Sequence, residues 1–301
     1  MVSRPAPCTI RTVIAAFSDY LSGKAVDSPR LSAGLICMHV LGKDRLHLLT
    51  NPHQPVTDSQ WAAMLSLVLR RGQGEPAAYL IGSREFFGRE FTVSPATLIP
   101  RPETEHIVEE VVRQFARSGP FTFADLGTGS GCIAVSIAAE LPHARGIAVD
   151  RSADALSVAA RNARRHGVAD RILFVQGDFT SCLFRPGSLD CVATNPPYVS
   201  AAEHAQLSSE VRDFEPASAL VPGAAGTEHA DILIPSAACW LRPGGLFVME
   251  MGCSQGPYAL AALNEPPRTW QDARIVRDLA GLDRLAVATR SAYQCEKTTQ
   301  C

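Results

Sequence analysis

The sequence FTFADLGTGSGCIAVSI, at residues 121–137, contains an apolar run of strand length, a glycine-rich loop and a second apolar run. Glycine adopts backbone conformations that other residues avoid, and it places no side chain between the backbone and a ligand. A short apolar run that ends at such a loop is consistent with a buried strand. The stretch therefore predicts a strand, a ligand-binding loop and a helix.

Strand and helix patterns alternate on both sides of this loop, up to residue 289. The helical patterns include 153–166 and 230–241, and the strand patterns cover 121–126, 146–150, 172–175, 190–195, 246–250, 273–276 and 285–289. Such alternation predicts the α/β class, with a seven-stranded, mostly parallel, doubly wound sheet covered by helices on both faces. Ligands of such sheets bind at the carboxyl ends of the strands.

Aspartates lie at the predicted carboxyl ends of several strands. Asp150 ends the strand after the loop, nineteen residues beyond Gly131, where a carboxylate can bind ribose hydroxyls. The G-x-G-x-G spacing lacks the downstream lysine of a P-loop, which favours a nucleoside without phosphates. Asp125 and Asp178 add negative charge that suits a cationic ligand such as S-adenosylmethionine. Asp178 is equally consistent with an ordinary turn residue after Gly177.

The strand at 190–195 stops at Asn195, which Pro196, Pro197 and Tyr198 follow. Proline donates no hydrogen bond to a sheet and restricts the residue before it, so this loop is stiff. The side chain of Asn195 and the carbonyl of Pro196 can accept both hydrogens of a planar NH₂ group, and the ring of Tyr198 can cover its face. The stretch predicts a site for an amide or amino group, although Asn-Pro also begins ordinary turns.

The N-terminal third has a different pattern. Apolar residues recur at helical spacing over 9–81, and short β-like runs follow at 85–88 and 90–93. We expect a helical domain at 1–84, a β-hairpin linker at 85–100, a catalytic domain at 101–293 and a polar tail at 294–301. In the segment from Leu98 to Glu105, Thr104 is a plausible helix cap with acidic residues in the first turn.

The composition excludes several classes of protein. A formal net charge of −2 over 301 residues is not that of a general nucleic-acid binder. No stretch approaches the length of a membrane span. The nine cysteines lack a C-x-x-C pair and include Cys37, Cys132 and Cys191 in apolar segments, which favours reduced core thiols over disulfides or a metal site. We expect a cytoplasmic monomer without a metal.

Several motifs together resemble one family, the protein-(glutamine-N5) methyltransferases of peptide-chain release factors, the PrmC/HemK type. The similarity covers nearly the whole chain. The motifs are Tyr79–Gly82, Glu85–Gly88, Leu98–Glu105, Asp125–Gly131, Ala148–Asp150, Asn195–Tyr198, Phe214–Pro216 with Ala219 and Leu220, and Gly244 with Gly245. Adenine-N6 methyltransferases share Asn-Pro-Pro-Tyr, whereas the Arg-Pro-Glu-Thr-Glu segment at 101–105 is far more discriminating.

The resemblance implies a Rossmann-like fold and S-adenosyl-L-methionine as cofactor, with S-adenosyl-L-homocysteine as product. It implies that Gly127, Thr128, Gly129, Ser130 and Gly131 approach the methionine part, that Asp150 holds the ribose and that Asp178 and Phe179 flank the adenine, with Asn195 beside the cofactor. Phe179 can stack, but it lacks the indole N–H of some relatives.

The implied substrate is the glutamine of the Gly-Gly-Gln loop of a release factor, which the N-terminal domain helps to dock. Asn195, Pro196 and Tyr198 are the implied catalytic residues, and with Pro197 they form the substrate loop. Two alternatives stay open at this stage. An adenine-N6 methyltransferase could use the same loop, although a flipped base normally requires a basic cleft. A non-enzymatic module that binds release factors could have kept the fold.

Overall fold

The computed structural model describes residues 2–24 and 26–292, and the predicted tail at 294–301 lies outside this range. The chain divides into two compact units, a helical unit, Met1–Ser83 with Ser208–Phe214, and a larger unit, Arg84–Leu207 with Glu215–Cys301. Within the described chain, no helix combines the length and apolarity that crossing a membrane requires.

The helical unit packs five N-terminal helices around one apolar core. They are α1 (Ile10–Ser22), α2 (Pro29–Leu41), α3 (Arg45–Thr50), α4 (Asp58–Arg71) and α5 (Ala77–Ile81). Ile10, Val13, Phe17 and Leu21 are fully buried because their spacing places them on one face of α1. Phe17 stacks on Trp61 of α4, with ring centroids 4.8 Å apart.

A distant segment, Ser208–Phe214, belongs to the helical unit through a buried arginine. Arg71 is only 3% exposed, and its guanidinium lies 2.7 Å from the Glu210 carboxylate and donates to Ser32 Oγ. The sequence prediction of one continuous stretch, 1–84, did not include this segment. Its local pattern carries no sign of an ion pair formed 139 residues away.

A two-stranded hairpin follows, formed by β1 (Ser83–Phe86) and β2 (Arg89–Thr92). Phe87 and Gly88 form its turn, with φ values of +51° and +68°. The predicted strands lie one or two residues too late because Phe87 is a turn residue here. Its backbone N–H donates to Glu105 Oε1 at 2.8 Å, which holds the turn in place.

The larger unit alternates strands and helices as the sequence predicted. Its strands are β3 (Phe121–Leu126), β4 (Ala144–Asp150), β5 (Ile172–Gln176), β6 (Leu189–Thr194), β7 (Leu241–Glu250), β8 (Trp270–Arg277) and β9 (Asp283–Arg290). Its helices are α6 (Glu105–Phe115), α7 (Cys132–Glu140), α8 (Ala153–Arg165), α9 (Ala201–His204), α11 (Glu228–Trp240) and α12 (Gly256–Leu263); α10 (Ser209–Phe214) lies in the helical unit.

The strands form one seven-stranded sheet in the order β5-β4-β3-β6-β7-β9-β8. The first five are parallel, and β9 pairs antiparallel with both β7 and β8. This arrangement confirms the predicted mostly parallel sheet. After β5, at the edge of the sheet, the chain returns to the centre and adds β6 on the other side of β3. The strand order therefore reverses between β3 and β6, and sheets of this kind bind ligands at that point.

Two apolar clusters cover opposite faces of the sheet. Along β6, Cys191 and Ala193 belong to one cluster and Val192 to the other; along β7, Val248 and Phe247 divide in the same way. This alternation is expected because successive side chains of a strand point to opposite faces. Buried free thiols at Cys37, Cys132 and Cys191 agree with the expectation of reduced core cysteines at these positions. The expectation is wrong for Cys239, which forms a disulfide that spacing along the sequence does not reveal.

Asp125 is the second-last residue of β3 and organises the loop that follows. It is fully buried, and its Oδ2 accepts hydrogen bonds from the Thr128 hydroxyl at 2.6 Å and from the Ala134 N–H at 3.1 Å. Its Oδ1 has no partner among the described residues. Burial raises the pKa of Asp125 to about 7, although the two hydrogen bonds oppose this shift.

We predict that Phe123→Ala lowers the free energy of unfolding by about 3–5 kcal/mol, the range for a large buried aromatic. Phe123 is fully buried, and its ring fills the space that a Cβ on Gly146 would occupy. Equilibrium unfolding in urea measures the loss. Leu279→Ala is the matched control because Leu279 is completely exposed. Comparable losses in the two variants would contradict this placement of the core.

We also predict that Asp125→Asn changes how stability depends on pH. Because the pKa of Asp125 is higher in the folded state, that state retains a proton between pH 3.8 and about 7, and stability falls as the pH rises through this window. Asparagine keeps the acceptor at the Oδ2 position but does not titrate.

The wild-type protein should therefore lose stability relative to Asp125→Asn by at least about 1.4 kcal/mol between pH 4 and pH 8, the free energy of one pKa unit. Urea unfolding across this range measures the difference. A constant difference, or one that grows in favour of the wild type, would show that Asp125 ionises freely.

Candidate active site

A cavity of about 430 Å³ lies at the carboxyl ends of the parallel strands, in the larger unit. Its walls come from the loops after β3, β4, β5 and β6, together with the segments 96–104 and 216–229. Its volume falls within the range of small-molecule sites in proteins. The position agrees with the rule that ligands bind where the strand order reverses.

The glycine loop forms one wall of the cavity. Gly127, Gly129 and Gly131 have φ values of +73°, +54° and +80°, a region that other residues rarely adopt. A Cβ on Gly131 would also lie 2.9 Å from the Cβ of Ala159 in α8. Of the predicted residues, Gly127, Thr128, Gly129 and Ser130 line the cavity, whereas Gly131 is not among the lining residues and is the N-cap of α7.

Asp150 lies beside this loop as the sequence predicted. Its Oδ2 accepts the Gly129 N–H and its Oδ1 accepts the Ser152 N–H, each at 2.9 Å. Each carboxylate oxygen can accept a further hydrogen bond. The side chain is therefore held in one orientation and still presents acceptors to the cavity.

Asp178 and Phe179 line the next part of the wall. Asp178 is exposed, and hydrogen bonds from the Thr180 hydroxyl and N–H lower its pKa, so it is ionised at neutral pH. Phe179 is 9% exposed and meets the ring of His229 edge-on, with centroids 5.0 Å apart. Its buried ring offers an apolar surface at the wall.

His229 is a cavity residue that the sequence analysis missed, because none of the eight histidines falls in a motif. Its Nδ1 lies 3.3 Å from the carbonyl of Pro197, to which it can donate. Burial lowers the pKa of His229, which favours the neutral ring at pH 7. The contact joins the aromatic wall to the Asn-Pro-Pro-Tyr loop.

The four residues of the Asn-Pro-Pro-Tyr loop do not all line the cavity. Asn195 and Pro197 line the cavity, whereas Pro196 and Tyr198 are not among the described residues of its wall. The Asn195 side-chain NH₂ donates to Thr104 Oγ1 at 3.0 Å. The Tyr198 hydroxyl donates to Glu250 Oε1 at 3.1 Å.

The predicted cap role of Thr104 is wrong. Its hydroxyl donates to Glu250 Oε2 at 2.6 Å and makes no capping hydrogen bond. The reason is its backbone conformation. Capping residues are normally extended, but a 3₁₀ turn at Pro102–Thr104 runs directly into α6 and gives Thr104 helical angles of −66° and −21°. Thr104 is also among the residues that line the cavity.

Two glutamates hold this region, and the sequence analysis assigned neither a role. Glu250 is 1% exposed, and burial raises its pKa although Thr104 and Tyr198 donate to it. Glu215 accepts the Ile99 N–H at 3.0 Å and the Arg101 guanidinium at 2.6 Å. In the sequence, each glutamate is visible only as an acidic residue within or beside an apolar stretch. That pattern does not reveal which groups donate hydrogen bonds to it.

The cavity fits S-adenosylmethionine better than a phosphorylated nucleotide. Asp150, Asp154 and Asp178 supply negative charge to its wall, and the backbone of the glycine loop is open to it. The guanidinium groups in the wall belong to Arg101, which is paired with Glu215, and Arg151. No group of metal-binding side chains occurs within residues 2–24 and 26–292.

Comparisons with known proteins identify both parts of the chain. The family described as the PrmC N-terminal domain matches residues 12–82, and the methyltransferase small domain matches residues 106–215. The release factor glutamine methyltransferase of Nitratidesulfovibrio vulgaris is 52% identical over 275 residues, which cover 91% of this chain and 92% of that protein.

Proteins of the same name from Koribacter versatilis and Geobacter sulfurreducens are 38% and 37% identical. These alignments cover 94% and 95% of this chain, and 99% and 98% of the respective relatives. Identity at this level over nearly the full length confirms the resemblance found in the motifs. The chain belongs to the release factor glutamine methyltransferase family.

Proposed function

We propose that this protein transfers a methyl group from S-adenosyl-L-methionine to the side-chain amide nitrogen, N5, of the glutamine in the Gly-Gly-Gln motif of peptide-chain release factors. One observation carries the proposal. Asn195, held by Thr104, shares a cavity with the glycine loop and Asp150. The named activity of relatives up to 52% identical supports it.

The cofactor supplies an electrophilic methyl group on a sulfonium cation and leaves as S-adenosyl-L-homocysteine. We assign the methionine part to the loop from Gly127 to Gly131 and the ribose hydroxyls to Asp150. Phe179 and Asp178 flank the adenine. The open backbone of the loop, the anchored carboxylate of Asp150 and the buried ring of Phe179 support these assignments.

An amide nitrogen is a poor nucleophile because its lone pair is delocalised into the carbonyl group. The site must therefore position the nitrogen and stabilise the positive charge that develops on it. Asn195 Oδ1 and the Pro196 carbonyl accept the two amide hydrogens and orient the nitrogen. Pro196 and Tyr198 are not among the described residues of the cavity wall, and we assign them to the substrate amide because they flank Pro197, which lines the wall, with the Tyr198 ring covering the plane of the amide. No general base is assigned, and the proton leaves after transfer.

We also propose where the protein acts and how it meets its substrate. Release factors act in translation, so the protein acts in the cytoplasm. The N-terminal helical domain contributes to docking of the release factor. The protein works as a monomer, and it recognises the release factor without binding nucleic acid directly.

Transfer of labelled methyl from S-adenosylmethionine tests the function. The acceptors are purified unmethylated release factor, the same factor with its Gly-Gly-Gln glutamine replaced, and adenine-containing DNA. Label on the intact factor only, located on glutamine N5 by mass spectrometry, is the expected result. Label on DNA would instead indicate an adenine-N6 methyltransferase. Cofactor binding without any transfer would favour a binding module.

We predict that Asn195→Ala lowers methyl transfer by about 100-fold or more, on the order of 3 kcal/mol of transition-state stabilisation, as for loss of one fixed polar group in other active sites. Single-turnover kinetics measure the loss. The affinity for S-adenosylmethionine, measured by calorimetry, controls for damage to the cofactor pocket. A loss below tenfold would contradict the role of Asn195.

A further inference from the structure

A buried carboxylate lies behind the proposed substrate loop, and the proposed reaction does not use it. We propose that Glu250 is a positioning residue that acts through Thr104 to fix the orientation of the Asn195 amide, so that its carbonyl oxygen faces the substrate. The inference rests on the proposed function and adds to it a group that does not touch the substrate.

The three side chains form a continuous chain of hydrogen bonds. Asn195 Nδ2 lies 3.0 Å from Thr104 Oγ1, and Thr104 Oγ1 lies 2.6 Å from Glu250 Oε2. Thr104 and Glu250 are 2% and 1% exposed, so water does not compete for the contact between them, whereas Asn195 is half-buried and lines the cavity. All three belong to the larger unit, although they come from the 3₁₀ turn before α6, the end of β6 and the end of β7.

The direction of each hydrogen bond follows from counting protons. With Glu250 ionised, as two hydroxyl donors on its two oxygens require, the carboxylate can only accept, and the Thr104 hydroxyl has a single proton to donate. Because Thr104 donates its proton to Glu250, it can only accept from Asn195. Asn195 must then turn its NH₂ towards Thr104, and its Oδ1 lies on the opposite side, where no described residue donates to it.

This orientation decides what the substrate amide meets. A glutamine NH₂ brings two donors and needs acceptors. With Oδ1 towards the cavity, Asn195 provides one. With the amide reversed, its NH₂ would face the NH₂ of the substrate, and the two donors could not pair. The two orientations of the Asn195 amide have nearly the same shape. The Glu250 carboxylate therefore favours the orientation that can accept a hydrogen bond from the substrate.

Glu250 also holds the other side of the loop. Its Oε1 accepts the Tyr198 hydroxyl at 3.1 Å, so one carboxylate restrains both side chains that we assign to the substrate amide. Two hydroxyl donors offset part of the cost of burying the charge. The structural role of this buried carboxylate is to orient its two hydroxyl donors.

The first test compares Thr104→Val, which keeps the side-chain shape without the hydroxyl, with Thr104→Ser, which keeps the hydroxyl. We expect Thr104→Val to lower kcat at least tenfold, with KM for the release factor and Kd for S-adenosylmethionine changed less than threefold. Thr104→Ser should recover most of kcat. Thermal unfolding of both variants controls for stability.

The second test removes the carboxylate. Glu250→Leu has no acceptor, so Thr104 can donate to Asn195 and reverse its amide. We expect kcat to fall at least tenfold, and further than in Tyr198→Phe, which removes only the second hydroxyl. If Glu250→Leu does not fold, Thr104→Val still tests the chain of hydrogen bonds.

Double mutants separate positioning from general damage. In an Asn195→Ala background, Thr104→Val should change kcat less than threefold, because it acts through the side chain already removed, and Glu250→Leu should lose no more than Tyr198→Phe does, because only its contact with Tyr198 is left. Equal losses in both backgrounds would overturn the inference. So would a Thr104→Val protein with wild-type kcat.

A measurement without turnover distinguishes failure of this inference from failure of the proposed function. The side-chain NH₂ resonance of Asn195, assigned by its absence in Asn195→Ala, should shift in both Thr104→Val and Glu250→Leu. Unchanged resonances would overturn the inference even in an active enzyme. An inactive wild-type protein would refute the proposed function, and the resonances would still report whether Glu250 orients Asn195.

Discussion

The site depends on one buried carboxylate, that of Glu250. A buried charge is costly unless hydrogen bonds stabilise it, and Glu250 has two hydroxyl donors, from Thr104 and Tyr198. Because the Thr104 hydroxyl donates its single proton to Glu250, it can only accept a hydrogen bond from the Asn195 NH₂. The hydrogen bonds that one buried carboxylate requires thus determine which side of the Asn195 amide faces the cavity.

The sheet makes this network possible. β6 and β7 are parallel neighbours, so the loop after β6 and Glu250 at the end of β7 reach the same edge. The glycine loop follows β3, which pairs with β6 on its other side. Glu215 anchors the segment at residues 99–101, close in sequence to Thr104. The residues that we assign to cofactor and substrate therefore meet at one edge of the sheet.

The features that local pattern determines could be predicted from the sequence. The seven strands, the glycine loop and Asp150 each follow from periodicity or spacing over a few residues. Thr104 and Glu250 could not be assigned in this way, because they lie 146 residues apart in the chain and their hydrogen bond depends on the sheet order. The same holds for His229, which meets Pro197 across 32 residues. The Thr104 prediction failed because a local capping rule was applied where a 3₁₀ turn had already set the backbone.

A crystal structure of the protein with S-adenosyl-L-homocysteine and a peptide carrying the Gly-Gly-Gln sequence would test the central claim most directly. The account predicts the glutamine side-chain nitrogen within about 2.7–3.2 Å of Asn195 Oδ1, the range of N–H···O hydrogen bonds, with the Asn195 NH₂ still on Thr104. A glutamine side chain bound away from Asn195, or an Asn195 amide that contacts neither Thr104 nor the peptide, would contradict it.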